Sequence, residues 1–332
     1  MHWLERHWYR LSALHLLLWP LSIFFGVIAA GRRLLYRSRV LQSTRLPVPV
    51  MVVGNINVGG TGKTPLTIWL AAWLIGQGWK PGIVCRGYGG STHAPQRVLA
   101  NDDPRQVGDE ALLLARRCAC PVWIGADRAA AARALLSASP DCDLIVSDDG
   151  LQHYALARDV ELAVIDGERG FGNGMLLPAG PLREPPRRLA RVDALIINGA
   201  ARFRREILPS SVPAFEMCLQ GNTFYSILDP RQITGPEKFA GRRVHAVAGI
   251  GNPQRFFDRL HEFGMTCVVH VFPDHHAYAP ADLEFGDSDA VIMTEKDAVK
   301  CERYATENFW ALRVDAETDP ALGELVRLKI GT

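Results

Sequence analysis

Asn57-Val58-Gly59-Gly60-Thr61-Gly62-Lys63-Thr64 is the stretch on which the reading of this chain turns. Upstream, Val48-Pro49-Val50-Met51-Val52-Val53 is short, β-branched and closed by Gly54, the pattern of a buried strand. Downstream, Pro65 sits where a first helical turn tolerates it, and Leu66 to Ile75 predicts an apolar helix ending near Gly76 and Gly78. A strand, a glycine-rich turn and a helix, in that order, form the setting a phosphate-binding loop requires. The glycines let successive N–H groups turn toward phosphate oxygens without a Cβ in the way. Lys63 would add a point charge at the β- and γ-phosphates, and Thr64 a hydroxyl for Mg²⁺. The usual first glycine is replaced by Asn57, and Asn is among the residues most tolerant of positive φ, so Asn57 is expected there. A turn that binds nothing is the bland alternative. The placement of Gly-Lys-Thr between strand and helix speaks against it, and the stretch reads as a nucleoside-triphosphate site.

Working outward, Pro81–Cys85 reads as a strand running into the loop Arg86-Gly87-Tyr88-Gly89-Gly90. Gly108-Asp109-Glu110 opens a helix over 111–117, Pro121–Ile124 is a strand, and Asp127-Arg128 starts an alanine-rich helix through Leu136. Asp143 to Gly150 is an apolar strand ending in two carboxylates, Asp148 and Asp149, the form of an acidic strand end that holds Mg²⁺ directly or through water. An Asp-Gly turn is the alternative. Val160–Asp166 and Ala194–Asn198 add strands, separated by a Gly/Pro-rich loop over 170–185 that includes Arg183, with Arg187, Arg188 and Arg191 close behind it. That cationic loop either clamps an anionic acceptor or is solvated. Phe215–Leu219 and Thr223–Leu228 alternate around Gly221-Asn222, which predicts a two-stranded ribbon. A second strand–turn–helix unit starts at Val244, with strands at Cys267–Phe272, Ala290–Met293 and Phe309–Val314 and a helix at Leu322–Leu328.

The expected fold is therefore α/β: a P-loop NTPase-type, mainly parallel sheet flanked by helices. A two-stranded β-ribbon joins it to a smaller second α/β domain, and a hydrophobic helix precedes both. The boundaries read as 1–40 for the hydrophobic region, 41–212 for the ATP-binding domain, 213–240 for the ribbon linker and 241–332 for the domain that closes over the site.

A formal charge of +2 over 332 residues gives no bias toward nucleic acid, and no arginine-rich tail argues for it. Cys85, Cys118, Cys120, Cys142, Cys218, Cys267 and Cys301 are scattered, as suits reduced, mostly buried thiols. Leu11 to Gly31 is nearly continuous in apolar residues, bracketed by Arg6 and Arg10 and by Arg32, Arg33, Arg37 and Arg39. The length could just cross a bilayer. Trp3, Trp8, Tyr9 and Trp19 suit the headgroup level, while Pro20 and His15 favour a kinked, partly embedded helix. A cleaved signal peptide and an ordinary buried helix are the alternatives. Membrane association is the expectation, and the heavier arginine load after the run would keep the body cytoplasmic.

Seven segments now coincide. They are Gly54 to Pro65, Arg86–Gly90, Gly108–Glu110, Asp148-Asp149-Gly150-Leu151-Gln152-His153, Leu177–Pro185, Asp274-His275-His276 and Thr294-Glu295-Lys296-Asp297-Ala298-Val299-Lys300. As an ordered set they closely resemble the tetraacyldisaccharide 4′-kinase family of lipid A biosynthesis. The likeness runs from the hydrophobic N-terminus to about Cys301. It implies Mg²⁺-dependent transfer of the ATP γ-phosphoryl group to the 4′-hydroxyl of a tetraacylated glucosamine disaccharide 1-phosphate, at the cytoplasmic face of the bacterial inner membrane. No nucleic acid and no obligate protein partner is implied.

On that resemblance, residues 57–64 bind ATP, and Thr64, Asp148 and Asp149 serve the metal, Asp149 with Lys63 also serving catalysis. Arg86, Tyr88, Arg128, Gln152, His153 and Arg183 lie toward the acceptor, the arginines having its phosphate to answer. Asp109 looks like the base that receives the hydroxyl proton, with His275 across from it in the second domain. Without the family, Asp109 reads as an N-cap and Asp-His-His as a turn. Thr294–Asp297 reads as a helix cap. The rival function is a membrane-bound P-loop switch of the partitioning or targeting type.

Overall fold

The computed structural model describes residues 7–9, 14–286 and 288–331; Trp3, Arg6, Arg10 and positions 11–13 of the expected anchor lie outside the described residues. The strand before the phosphate loop, β1 (Val50–Gly54), is buried along its whole length at the centre of one continuous sheet. It pairs in parallel with β5 (Leu144–Asp148) and β6 (Val160–Asp166). Parallel strands β2 (Pro81–Cys85) and β4 (Val122–Ile124) extend the β5 side, and short β3 (Gln96–Val98) closes that edge antiparallel. On the other side lie β7 (Ala194–Asn198) and the first residues of β8 (Ala214–Ser226). The central strands β1, β5, β6 and β7 are rich in Val, Ile and Leu because both faces are covered. Helices α2 (Lys63–Gly76) and α4 (Asp109–Arg117, just after one-turn α3, Pro104–Val107) cover one face, where Leu66, Leu70 and Leu74 meet Met51, Val53 and Val146. Helix α5 (Arg128–Ala138) covers the other, setting Ala131, Ala132 and Leu135 on Val50, Val52 and Ile145.

The second lobe is β10 (Val244–Ala248) with β11 (Cys267–Val271) and β12 (Ala290–Thr294), all parallel, with β13 (Phe309–Thr318) parallel to β12. A ribbon does join the two halves, but its strands are not the expected hairpin. Ala214–Ser226 is one continuous strand through Gly221-Asn222, and its partner is β13, antiparallel, with a bulge where Gly221 and Asn222 face the step from Arg313 to Asp315. Gly221 is needed because a Cβ there would lie 2.7 Å from the Arg313 carbonyl oxygen, a close strand approach rather than a turn. Two-residue β9 (Ile233–Thr234) pairs back on β8. The lobe's first helix is α6 (Pro253–Glu262), and α7 (Glu295–Cys301) follows β12 directly. The last helix, α8 (Pro320–Ile330), returns to the larger lobe, where Leu322 and Val326 join the core beneath α2 and Gly323 abuts Trp73.

Helix α1 (Leu14–Arg37) contains Pro20 and is long and apolar enough to cross a membrane, with only 11% of its most apolar window buried. That exposure removes the ordinary buried helix as an explanation. One narrow polar face docks it: Ser22 Oγ accepts from the Ala179 amide at 2.9 Å, and Gly26 lets Leu176 approach. Leu16, Leu17, Phe24 and Val27 stay largely exposed.

Candidate functional site

The carboxyl ends of β1, β5, β6 and β7 converge, as doubly wound sheets arrange for ligands, and deliver Gly54, Asp148, Asp166 and Asn198 to one region. The phosphate loop crosses it. Gly59 and Gly62 have φ of 99° and 94°, and Gly62 serves as N-cap of α2 with no side chain capping the helix. The first amides of α2 are left for an anion, and the helix dipole adds to the pull. Gly62 admits no other residue, since a Cβ would meet Asn198 Nδ2 at 2.4 Å. Asn198 in turn donates to the Thr61 carbonyl at 2.9 Å, and Asn55 donates to Thr61 Oγ1 at 3.1 Å, so the loop is preshaped.

Asn57 corrects its expectation. It is absent from the non-glycine residues of positive φ, which among the described residues are Arg39, Asp149 and His275. It is buried, and its Nδ2 donates to the Gly170 carbonyl at 2.8 Å, while the Val58 amide donates to Pro181 at 2.8 Å. The polar side chain thus pins the Gly/Pro-rich loop to the phosphate loop. Gly60 to Thr64 line a cavity of about 440 Å³ whose far wall is Ile250 to Asn252, Arg255 and Lys296 of the second lobe. The lobes touch here: a Cβ on Gly251 would sit 2.5 Å from the Gly60 nitrogen, and Arg169 donates to the Gly251 carbonyl. Gly249–Asn252 is therefore a packing turn against the loop.

Asp149, at φ 47°, lies between Lys63 Nζ (3.4 Å) and Arg183 Nη1 (3.1 Å). Burial opposes its charge, but Lys63 and Arg183 hold it well below the ordinary carboxylate range. Asp148 is the opposite case. Burial, then Glu110 and Asp149, push it up to about 7 against the pull of Lys63, and among the described residues its carboxylate accepts one hydrogen bond, from Thr67 Oγ1 at 3.0 Å. A buried carboxylate so short of positive charge fits a divalent cation. No group of three or more metal-ligating side chains exists among the described residues. That donor set suits Mg²⁺, which takes one or two carboxylates and draws its remaining ligands from phosphate and water.

A second cavity, about 660 Å³, holds every residue expected near the acceptor: Arg86, Tyr88, Arg128, Gln152, His153 and Arg183. Asp148 and Asp149 form its floor, and Phe25, Ile28, Ala29 and Arg32 of α1 form one wall. Glu110 lines both cavities. Arg128 is 5% exposed, yet no carboxylate pairs with it among the described residues; its Nε has no partner and its Nη1 reaches only the Gly125 carbonyl at 3.5 Å. Burial, with Arg128 adding to it, pushes His153 down to about 4, and its Nε2 accepts from the Arg128 amide at 3.3 Å.

Asp109 is the first residue of α4, with Gly108 as the N-cap, and its Oδ1 accepts from the Glu110 amide at 2.8 Å, so part of its role is to satisfy the helix start. Its carboxylate is 4% exposed and meets His275 Nδ1 at 3.0 Å, 166 residues away. Burial opposes its charge, while Lys296, then the His275 hydrogen bond, and Lys300 hold it down at about 2. Burial lowers and the Asp109 hydrogen bond raises the proton affinity of His275, with the net direction up. His275 sits at φ 60°, and Tyr88 packs on its ring at 4.7 Å. Asp149 and His275 thus both adopt the left-handed backbone, as does exposed Arg39.

Thr294 does cap α7, its Oγ1 accepting from the Asp297 amide at 3.2 Å. The segment also does what the pattern could not show. Glu295 accepts two bonds from Arg117 Nη1 (2.6 and 2.7 Å), Lys296 reaches Glu110 and Asp274, and Asp297 receives the Gly249 amide at 2.9 Å. The Arg117 and Glu110 contacts tie α7 to the larger lobe, the Gly249 contact ties it to the turn that abuts the phosphate loop, and the Asp274 contact ties it to the His275 loop of its own lobe. Glu110, Asn198, Arg255 and the α1 wall were missed by sequence reasoning; only the position of Asn198 at a strand end signalled it.

A profile of the tetraacyldisaccharide-1-phosphate 4′-kinase family matches residues 14–330. The chain is similar to the tetraacyldisaccharide 4′-kinase of Methylobacillus flagellatus, 50% identical over 328 residues, 99% of this chain and 96% of that one. It is also similar to that of Alkalilimnicola ehrlichii, 53% identical over 306 residues, 92% and 89% of the two chains. The crystal structure of LpxK from Aquifex aeolicus in complex with ATP superposes with a TM-score of 0.80 at 27% identity, covering 96% of this chain and 99% of that one.

Proposed function

The chain belongs to the tetraacyldisaccharide-1-phosphate 4′-kinase family and is a kinase, and from that premise we propose how its two cavities divide the reaction. ATP enters the cavity of Gly60 to Thr64, with Lys63 at the β- and γ-phosphates and the open start of α2 toward the triphosphate. Thr64, Asp148 and Asp149 would hold Mg²⁺, which supplies charge neutralisation for the phosphoryl group. Residues 41–212 form the ATP-binding domain, 213–240 the linker and 241–332 the closing domain, with α8 serving as a strap back to the first.

The acceptor is tetraacyldisaccharide 1-phosphate, seated in the 660 Å³ cavity. One observation carries this reading: the cavity is walled by an exposed apolar helix on one side and by a buried, unpaired arginine on the other. The acyl chains stay with α1 in the bilayer, the enzyme working from the cytoplasmic face of the inner membrane. Arg128, with Arg86 and Arg183, takes the anionic end, and Tyr88, Gln152 and His153 border the sugars. Asp109 receives the proton of the 4′-hydroxyl late in a loose transition state, and His275 orients the carboxylate. A partner-driven switch has no use for such a cavity.

The test is direct. Purified protein in mixed micelles with Mg·ATP and the disaccharide 1-phosphate is expected to give the 1,4′-bisphosphorylated lipid. ATP binding without transfer would overturn the acceptor assignment, and full activity in Lys63→Ala would overturn the phosphate loop.

A further inference from the structure

We propose that Lys296 is a positioning residue for the Asp109–His275 pair: its ammonium occupies Nε2 of His275 and so holds the imidazole in the tautomer that donates from Nδ1 to Asp109. The inference rests on the reading of Asp109 as the base. Lys296 Nζ lies 3.3 Å from His275 Nε2, 3.0 Å from Glu110 Oε1 and 3.0 Å from Asp274 Oδ1. An ammonium carries donors only, so a ring nitrogen at that distance has to present its lone pair. The proton is then on Nδ1, where the Asp109 carboxylate waits at 3.0 Å. The partner of one imidazole nitrogen decides the proton of the other.

The charged groups facing His275 come from three elements: Asp109 and Glu110 at the start of α4, Lys296 and Lys300 from α7, and Asp274 from its own loop. Without Lys296, Glu110 and Asp274 face Nε2 uncompensated. The ring then takes a second proton and turns toward Asp274, whose Oδ1 is already 3.8 Å from Nε2. An anchor is needed because His275 sits on a loop at φ 60°, whereas Lys296 sits in the capped first turn of α7. The same ammonium ties Glu110 of the larger lobe to Asp274 of the smaller, so the tautomer is set only when the lobes are together.

Full-length protein labelled with ¹⁵N-histidine, in mixed micelles at about pH 7.5, reads the tautomer directly. Wild type is expected to show neutral His275 with a bare Nε2, and Lys296→Gln a protonated Nε2. Turnover in Lys296→Gln is expected to fall about 10- to 100-fold with the KM for the acceptor little changed, the KM for ATP being no test here because Lys296 also lines the phosphate-loop cavity. Lys296→Arg restores most of it, and Lys296→Gln adds no further loss in a His275→Ala background. A wild-type spectrum with a protonated Nε2, or one that Lys296→Gln leaves unaltered, overturns the inference. Should Lys296→Gln fail to fold, the wild-type spectrum decides alone. Full turnover in Asp109→Ala would remove the base assignment separately, with the tautomer readout still standing.

Discussion

Replacing Arg128 by Met separates a group held for a ligand from one held for the fold. The guanidinium is 5% exposed, with no carboxylate partner among the described residues, an unpartnered Nε and one marginal contact of 3.5 Å. Burial lowers its affinity for its own proton, so the free protein carries an unpaid desolvation penalty at this site. Methionine keeps the apolar stem's packing and removes the charge, so the melting temperature is expected to hold or rise. Function moves the other way. A charge-assisted hydrogen bond contributes about 1.5–3 kcal/mol, and about 1.4 kcal/mol is tenfold, so kcat/KM for the acceptor is expected to fall about 10- to 150-fold. The KM for ATP stays put, since Arg128 lines only the acceptor cavity. Micellar kinetics with a dephosphorylated disaccharide complete the assay: wild type loses the same factor on that substrate, and Arg128→Met loses little more. A variant that melts several degrees lower while keeping its acceptor KM would refute the reasoning, because Arg128 would then be structural.

Asp109→Ala is expected to lower turnover about 10²- to 10⁴-fold with ATP affinity little changed, by single-turnover kinetics and nucleotide titration. His153 has its folded pKa pushed below the unfolded value of 6.5, to about 4. Its contribution to stability is therefore present above about 6.5 and lost as pH falls toward about 4. Melting curves of wild type are expected to drop more steeply over that window than those of His153→Gln. Arg117 and Glu295 are 11% and 7% exposed, so Arg117→Ala strands a buried carboxylate. It is expected to destabilise by about 3–5 kcal/mol in urea titrations, with the paired change Arg117→Met, Glu295→Leu recovering most of it. Replacing Leu16, Leu17, Phe24 and Val27 by Ser removes the exposed apolar face of α1, and the fraction sedimenting with phospholipid vesicles is expected to fall sharply.

The phosphate loop was legible because its chemistry is local: strand, turn, Lys63 and the helix it opens are consecutive residues. The same holds for the apolar strands of the larger lobe, where Pro81–Cys85, Val160–Asp166 and Ala194–Asn198 fall where the runs of Val, Ile and Leu placed them. What failed was chemistry that depends on a distant partner. Asn57 looked like a stand-in for a left-handed glycine, and it is a hydrogen-bond donor to Gly170. Gly221-Asn222 looked like a hairpin turn, and the glycine answers a strand ninety-odd residues later in the chain. Asp109 and His275 carry no local sign of each other, since an N-terminal helical carboxylate and an Asp-His-His loop are both common. Only the resemblance put them together, and the structure sets them at 3.0 Å.

The first turn of α4 explains why the two lobes and the membrane helix have to meet at one place. Asp109 meets His275 of the second lobe, lining with it a separate cavity of about 360 Å³, and Glu110 lines both of the larger cavities, so one rigid element borders all three. On the proposed seating the acceptor would reach this turn between α1 and the Arg86–Tyr88 loop, where α1 supplies the apolar side of the cavity. On the same seating the lipid tails would remain against the exposed residues of α1. An enzyme built this way needs to bury a sugar headgroup and not a lipid. The desolvation it must overcome is then that of a phosphate, which the buried Arg128 has already met halfway.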